Sequence, residues 1–149
     1  MPRVDNLGHV HLKVSDLDRV AAFYTAALGV EVAERHANFA FCTLGKRHHD
    51  LALQAVPGDG SAPPTERPAV GLYHAAWLVD DEATLAAVYD RLRDRGVAVS
   101  PVDHGISKVL YFDDPDGNGV GVYLDTRTED DREAWRGQDE RFDPETLGE

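Results

Sequence analysis

Sliding the sequence against itself by 65 positions brings Leu7 onto Leu72, His9 onto His74, Val14 onto Val79, Asp16 onto Asp81, and Tyr24 onto Tyr89. Ala21 and Ala22 fall on Ala86 and Ala87 in the same alignment. The match covers a strand, a turn and a helix, so the repeated unit carries secondary structure of both kinds. A solenoid needs at least about three stacked repeats to bury its faces, and two therefore point to a closed pair of modules with pseudo-twofold packing. The expected fold is α+β, with paired βαβββ modules forming a cup-shaped mixed sheet. It occupies 1–125 as a single domain: module one at about 7–56, a linker at 57–71 and module two at about 72–125. Residues 126–149 form an acidic C-terminal tail.

Within module one, HVHLKV alternates, placing Val10, Leu12 and Val14 on one face and His9, His11 and Lys13 on the other. Ser15 and Asp16 can cap the following helix, whose Val20, Phe23, Tyr24, Ala27 and Leu28 recur at helical spacing before Gly29 ends it. Further strands are expected at 30–35, 39–44 and 49–56. Module two repeats the plan with a strand at 73–79 and a helix capped by Asp81, carrying Leu85, Val88, Tyr89 and Leu92 inward and closed by Gly96. Its remaining strands are expected near 97–100, 107–112 and 119–125. Between the modules, PGDGSAPPTERPAVG has linker composition.

Composition narrows the function classes. At 149 residues and 42% hydrophobic the chain suits one globular domain with a substantial core. A net charge of −12 disfavours nucleic acid and anionic membrane surfaces, which attract basic patches. Part of that charge is local, since the tail holds four arginines against nine acidic side chains; it reads as a solvated appendage with Trp135, Phe142 and Leu147 as anchors. No apolar run approaches the roughly 18 residues of a membrane span, and MPRVDNLGHV lacks the regions of a signal peptide, so a cytoplasmic location is expected. The single cysteine, Cys42, lies in the apolar run FAFCTL and reads as a packed thiol.

The histidines carry the chemistry. If Val10, Leu12 and Val14 lie under the helix, His9 faces the concave side, and the repeat puts His74 in the equivalent place. Two neutral imidazoles make a half-site for a divalent metal; read singly, each is also a common polar residue of a sheet surface. His48 and His49 precede the last strand of module one, where a rim histidine is a natural proton carrier or simply part of a solvated loop. His104, in VDHGIS, leads into the strand holding Tyr111, and an imidazole with a phenol can orient a substrate oxygen. His11 reads as pocket lining beside His9, its module-two counterpart being Ala76. His36 sits in a polar loop without a role. Trp77, Tyr73 and Phe112 are available to line a pocket for an aromatic ring or to fill the core.

Four segments in order resemble the vicinal oxygen chelate superfamily and, within it, the type I extradiol ring-cleaving dioxygenases: LGHVHLKVSDLDRVAAFYTAALGV, KRHHDLALQAV, LYHAAWLV and DHGISKVLYFDDPDGNGVGVY. The resemblance implies that His9 and His74 match the two histidine ligands of a non-haem Fe(II), occasionally Mn(II). It implies that His49 matches the acid-base histidine, and that Tyr111 and His104 match groups that hydrogen-bond the catecholate. The implied partners are a small aromatic diol and O2.

One position departs from that pattern. The family motif closes as DPDGNxxE, completing a two-histidine, one-carboxylate set, whereas this chain reads DPDGNGVG and carries Gly121 there. The corresponding residue of module one, Ala52, is equally without a ligand atom. Asp50 and Asp125 are the nearest carboxylates that could substitute, with water, an anion or the substrate itself as alternatives. The resulting expectation is an Fe(II)-dependent extradiol dioxygenase acting on a catecholic compound, with a weakly held metal. The alternatives are a non-catalytic small-molecule binder, or an isomerase or lyase on the same fold. For so small a domain a homodimer is the commonest assembly.

Overall fold

The computed structural model describes residues 1–57, 70–130 and 134–149. Most of the linker read at 57–71, from 58 to 69, lies outside the described residues. The chain forms two compact units, Met1–Pro63 and Pro64–Glu149.

In the first unit the order is β1 (Val10–Val14), α1 (Leu17–Leu28), β2 (Glu31–His36), β3 (Phe39–Thr43) and β4 (Leu51–Ala55). The strands form one mixed sheet, ordered β1-β4-β3-β2, with β1 and β4 parallel and the other pairs antiparallel. Of the two candidate caps, Asp16 is the one used: its side chain accepts the Arg19 amide at 3.0 Å, and Gly29 closes α1 in the left-handed region at φ 78°. Val20, Ala21, Phe23, Tyr24 and Ala27 form the buried face of the helix. They meet a sheet face made by register, in which Val10 pairs with Leu51, Leu12 with Leu53, Ala40 with Leu53 and Cys42 with Leu51. Cys42 is fully buried, and that burial raises its thiol pKa despite the opposing charge of Arg35. His36, expected in a loop, instead ends β2 opposite Phe39, because the turn needs only Ala37 and Asn38.

The second unit repeats the plan with β5 (Ala75–Val79), α2 (Glu82–Asp94), β6 (Ser100–Asp103), β7 (Ser107–Asp113) and β8 (Gly119–Asp125), followed by the short α3 (Arg127–Asp130) and β9 (Glu140–Arg141). Its sheet runs β5-β8-β7-β6-β9, again with a parallel pair, β5 and β8. Asp81 caps α2 by accepting the Thr84 amide at 2.7 Å. The strand expected near 97–100 begins only at Ser100, since Val97 still hydrogen-bonds back to Leu92 as the helix unwinds past Gly96. Leu110, Phe112, Val120, Val122 and Leu124 are buried on one side of the sheet. By register Trp77 shares that side, pairing with Val122, as Phe112 pairs with Val120. Phe112 therefore belongs to the core, and the half-buried Trp77 lies on the same side rather than on the face that bears Tyr111. Among the described residues no helix is long and apolar enough to cross a membrane.

The tail docks against the second unit, with the expected anchor Leu147 buried. β9 adds to the edge of β6, pairing Arg141 with Val102 and Glu140 with Asp103. A 3₁₀ turn at Pro144–Thr146 then brings Leu147 into a buried position. Glu82, in the first turn of α2, accepts the Gly148 amide at 3.0 Å and Lys108 Nζ at 3.1 Å, which ties the end of the chain to the helix and to β7.

Candidate functional site

In the first unit the polar face of the sheet presents His9, His11, Phe39, Phe41 and Glu34 by alternation and register. His9 immediately precedes β1, and its ring lies 4.5 Å, centroid to centroid, from that of His49. Phe41 flanks His49 at 5.0 Å. The two adjacent histidines are joined, His48 Nδ1 to His49 Nδ1, at 3.0 Å, and His48 Nε2 stands 2.8 Å from Glu34 Oε1. A carboxylate only accepts, so with neutral rings the chain of donors is settled: His48 donates from Nε2 to Glu34, and His49 donates from Nδ1 to His48. Nε2 of His49 then keeps its lone pair. Burial, with the rings of His9 and His48 adding to it, lowers the His49 pKa below the usual imidazole value, while Asp50 opposes the shift. His49 is thereby held as a neutral base. His11, expected to line a pocket, turns to Gln54 at 3.0 Å and sets its edge against Phe39.

In the second unit His74 precedes β5, with its ring 5.3 Å from that of Tyr111 on β7. Its Nδ1 is buried and has no hydrogen-bond partner among the described residues. The Tyr111 hydroxyl lies 2.9 Å from Nε2 of His104, and Nδ1 of His104 lies 2.6 Å from Asp139 Oδ1. Burial raises the Tyr111 pKa above the usual phenol value, and the charges of Asp139 and Tyr73 raise it further, so the phenol is protonated near neutrality. Tyr73, beside His74 in the chain, is strongly exposed.

Two glycines shape this face. Gly121 pairs with Tyr111 on one side and Ala76 on the other, and a Cβ there would meet the Tyr111 ring at 3.4 Å, an ordinary contact. At Gly119 a Cβ would stand 2.2 Å from the Tyr73 carbonyl oxygen. Only glycine lets β8 approach the backbone that carries His74 so closely.

The substitute carboxylates are already engaged. Asp50 accepts the Leu44 amide at 2.7 Å and Arg47 Nη1 at 3.1 Å. Asp125 holds Arg127 through both oxygens, which keeps its carboxyl pKa below the usual range. Among the described residues no group of three or more His, Cys, Asp and Glu side chains could hold a metal ion. Imidazole is a suitable donor for a first-row divalent ion, and the unpartnered nitrogen of His74 fits that use.

Sequence reasoning missed Glu34 and Asp139. Both lie far along the chain from the imidazoles they meet, 14 residues for Glu34 and 35 for Asp139, and no spacing rule connects them.

Comparison with known proteins agrees with this architecture. A catechol-2,3-dioxygenase of Bacillus subtilis (strain 168) is 34% identical over 120 residues, which are 80% of this chain and 41% of that enzyme. This chain thus spans well under half the length of that relative. A biphenyl-2,3-diol 1,2-dioxygenase of Rhodococcus globerulus is 33% identical over 144 residues, covering 95% of this chain and 75% of that protein. A crystal structure of a glyoxylase/bleomycin resistance protein/dioxygenase domain from Frankia sp. EAN1pec superposes with a TM-score of 0.70 at 26% identity, covering 83% of this chain and 93% of that one. Residues 6–122 match the family profile as well, and the chain belongs to the Glyoxalase/Bleomycin resistance protein/Dioxygenase superfamily.

Proposed function

We propose that the chain is a ring-cleaving dioxygenase of the extradiol type that uses Fe(II) and acts on a small aromatic molecule with two adjacent hydroxyls, with His74 as a metal ligand and His9 as the matching imidazole of the first unit. The observation that carries this reading is the hydrogen-bonded set beside His74, in which the phenol of Tyr111 is held by His104. Two relatives above 30% identity bear dioxygenase names that specify aromatic diols, which supports the same substrate class. Fe(II), when bound, supplies the one-electron chemistry with O2 that side chains lack.

The protein's own groups handle orientation and protons. His104 accepts a hydrogen bond from the Tyr111 hydroxyl at Nε2, so Tyr111 meets a ligand with its oxygen lone pairs and accepts a hydrogen bond from a substrate hydroxyl. His49, neutral with Nε2 free, can take a proton from a diol and return it later. Gly121 leaves open, next to the Tyr111 ring, the position that the DPDGNxxE pattern of the resemblance fills with a carboxylate.

Anaerobic reconstitution with Fe(II), addition of a catechol panel and admission of air should give the yellow ring-fission product. No product with any catechol, together with no iron retained after dialysis, would reject the reading. A second reading, a metal-free binder of small aromatic molecules, is favoured by Gly121 and by the engagement of Asp50 and Asp125 elsewhere. Saturable binding of a catechol by the iron-free protein, without turnover in its Fe(II)-treated form, would establish it.

A further inference from the structure

The tail bond to His104 departs from an ordinary surface ion pair. Exposed carboxylate pairs contribute about 0–1 kcal/mol and tolerate many geometries. This one is 2.6 Å long, and the His104 side chain is only 20% exposed against 60% for Asp139. The Gln138 carbonyl oxygen lies 3.3 Å from the same Nδ1. Two acceptor-only groups therefore converge on one nitrogen, and that nitrogen must carry the proton. The opposite nitrogen, Nε2, is then an acceptor in the neutral ring, and the hydroxyl of Tyr111 at 2.9 Å has to donate to it.

The segment that brings Asp139 there is anchored on both sides. Before it, Trp135 Nε1 donates to the Gln138 carbonyl oxygen at 3.0 Å, with the Trp135 ring edge-on to His104 at 6.5 Å. After it come the β9 pairing with β6, the Phe142 amide donating to the Pro101 carbonyl at 3.4 Å, and Lys108 over the Phe142 ring. Asp139 lies beyond residues 6–122, the part of the chain that matches the family.

We propose that Asp139 is a positioning residue: from the C-terminal segment it fixes His104 in the Nδ1–H tautomer and thereby makes Tyr111 a hydrogen-bond acceptor toward the substrate. Without a carboxylate at this place the imidazole can carry its proton on Nε2 instead. Tyr111 would then accept from His104 and turn its own hydrogen toward the ligand, reversing the polarity offered to a diol hydroxyl. The catalytic consequence rests on the dioxygenase reading above; the tautomer does not.

The test uses the full chain labelled with ¹⁵N-histidine, and reads ring nitrogen shifts by two-dimensional NMR, with His104→Gln assigning the signal. The wild type should show the Nδ1–H form of His104. Asp139→Leu should show a mixture or the Nε2–H form, and Asp139→Glu should recover part of the wild-type pattern. In the Fe(II)-treated protein, kcat with a catechol should fall about 10- to 100-fold in Asp139→Leu, the usual cost of losing such a supporting group. An unchanged Nδ1–H signal in Asp139→Leu, or an Nε2–H signal in the wild type, would overturn the proposal. Should Asp139→Leu fail to fold, Asp139→Ala and the wild-type signal decide by the same criteria. A tautomer change in a protein whose wild type cleaves no catechol would uphold the role of Asp139 and reject the dioxygenase reading instead.

Discussion

Single residues set the hydrogen bonding of the imidazoles here, and glycines set the distances. Gly119 is the sharpest case, because any side chain begins with a Cβ and that atom would lie 2.2 Å from the Tyr73 carbonyl oxygen. Gly119→Ala should push away the backbone that carries His74 at a cost of about 1–3 kcal/mol, the usual penalty of overpacking. A lower urea midpoint with reduced iron retention is the expected result, and wild-type values for both would contradict the geometry. Gly121 behaves differently, since a Cβ there makes only ordinary contact with Tyr111. Gly121→Glu should fold and retain more iron after dialysis than the wild type, measured by colorimetric iron assay. Retention no greater than the wild type's would count against His74 as a ligand. The repeat paired His9 with His74, and residue type singled out His49, His104 and Tyr111; the structure sets His9 beside His49 and joins His104 to Tyr111. Glu34 and Asp139 were not legible in the sequence, because a carboxylate that finds its imidazole through tertiary packing leaves no periodic trace.

Elements were legible where a local rule operates. The caps at Asp16 and Asp81 and the stop at Gly29 follow from side-chain chemistry within one turn, and the alternation of β1 follows from the pleat. β9 was not, since two residues pairing at an edge are decided by the neighbouring strand rather than by their own pattern. The attachment of the chain's end to α2 adds a pH dependence. Glu82 accepts from the Gly148 amide and then from Lys108, and these bonds hold its carboxyl pKa below the usual value. A depressed carboxyl pKa stabilises the fold above the group's ordinary value, and the contribution disappears as pH falls through the folded pKa. The difference in Tm between the wild type and Glu82→Gln should therefore be largest near neutral pH and shrink as the pH falls below the ordinary carboxyl range. A difference independent of pH would show that the bonds to Glu82 do not depend on its charge.

Taken whole, the chain is one module plan written twice and then differentiated. Phe41 and Tyr111 occupy comparable places on β3 and β7, and so do Ala52 and Gly121 on β4 and β8, yet only the second unit has a phenol to wire to an imidazole. The repeat revealed the shared plan at once, because strand and helix signals recur at the same offset. What separates the units came from outside the repeat, and the C-terminal segment is the clearest instance. It docks on β6 and on His104 while lying beyond the stretch that matches the family, so the sheets and the carboxylate contact to His104 come from different pieces of the chain. A relative could keep the sheet, the helices and every histidine, exchange only its last residues, and present its tyrosine to a ligand with the opposite hydrogen-bonding sense.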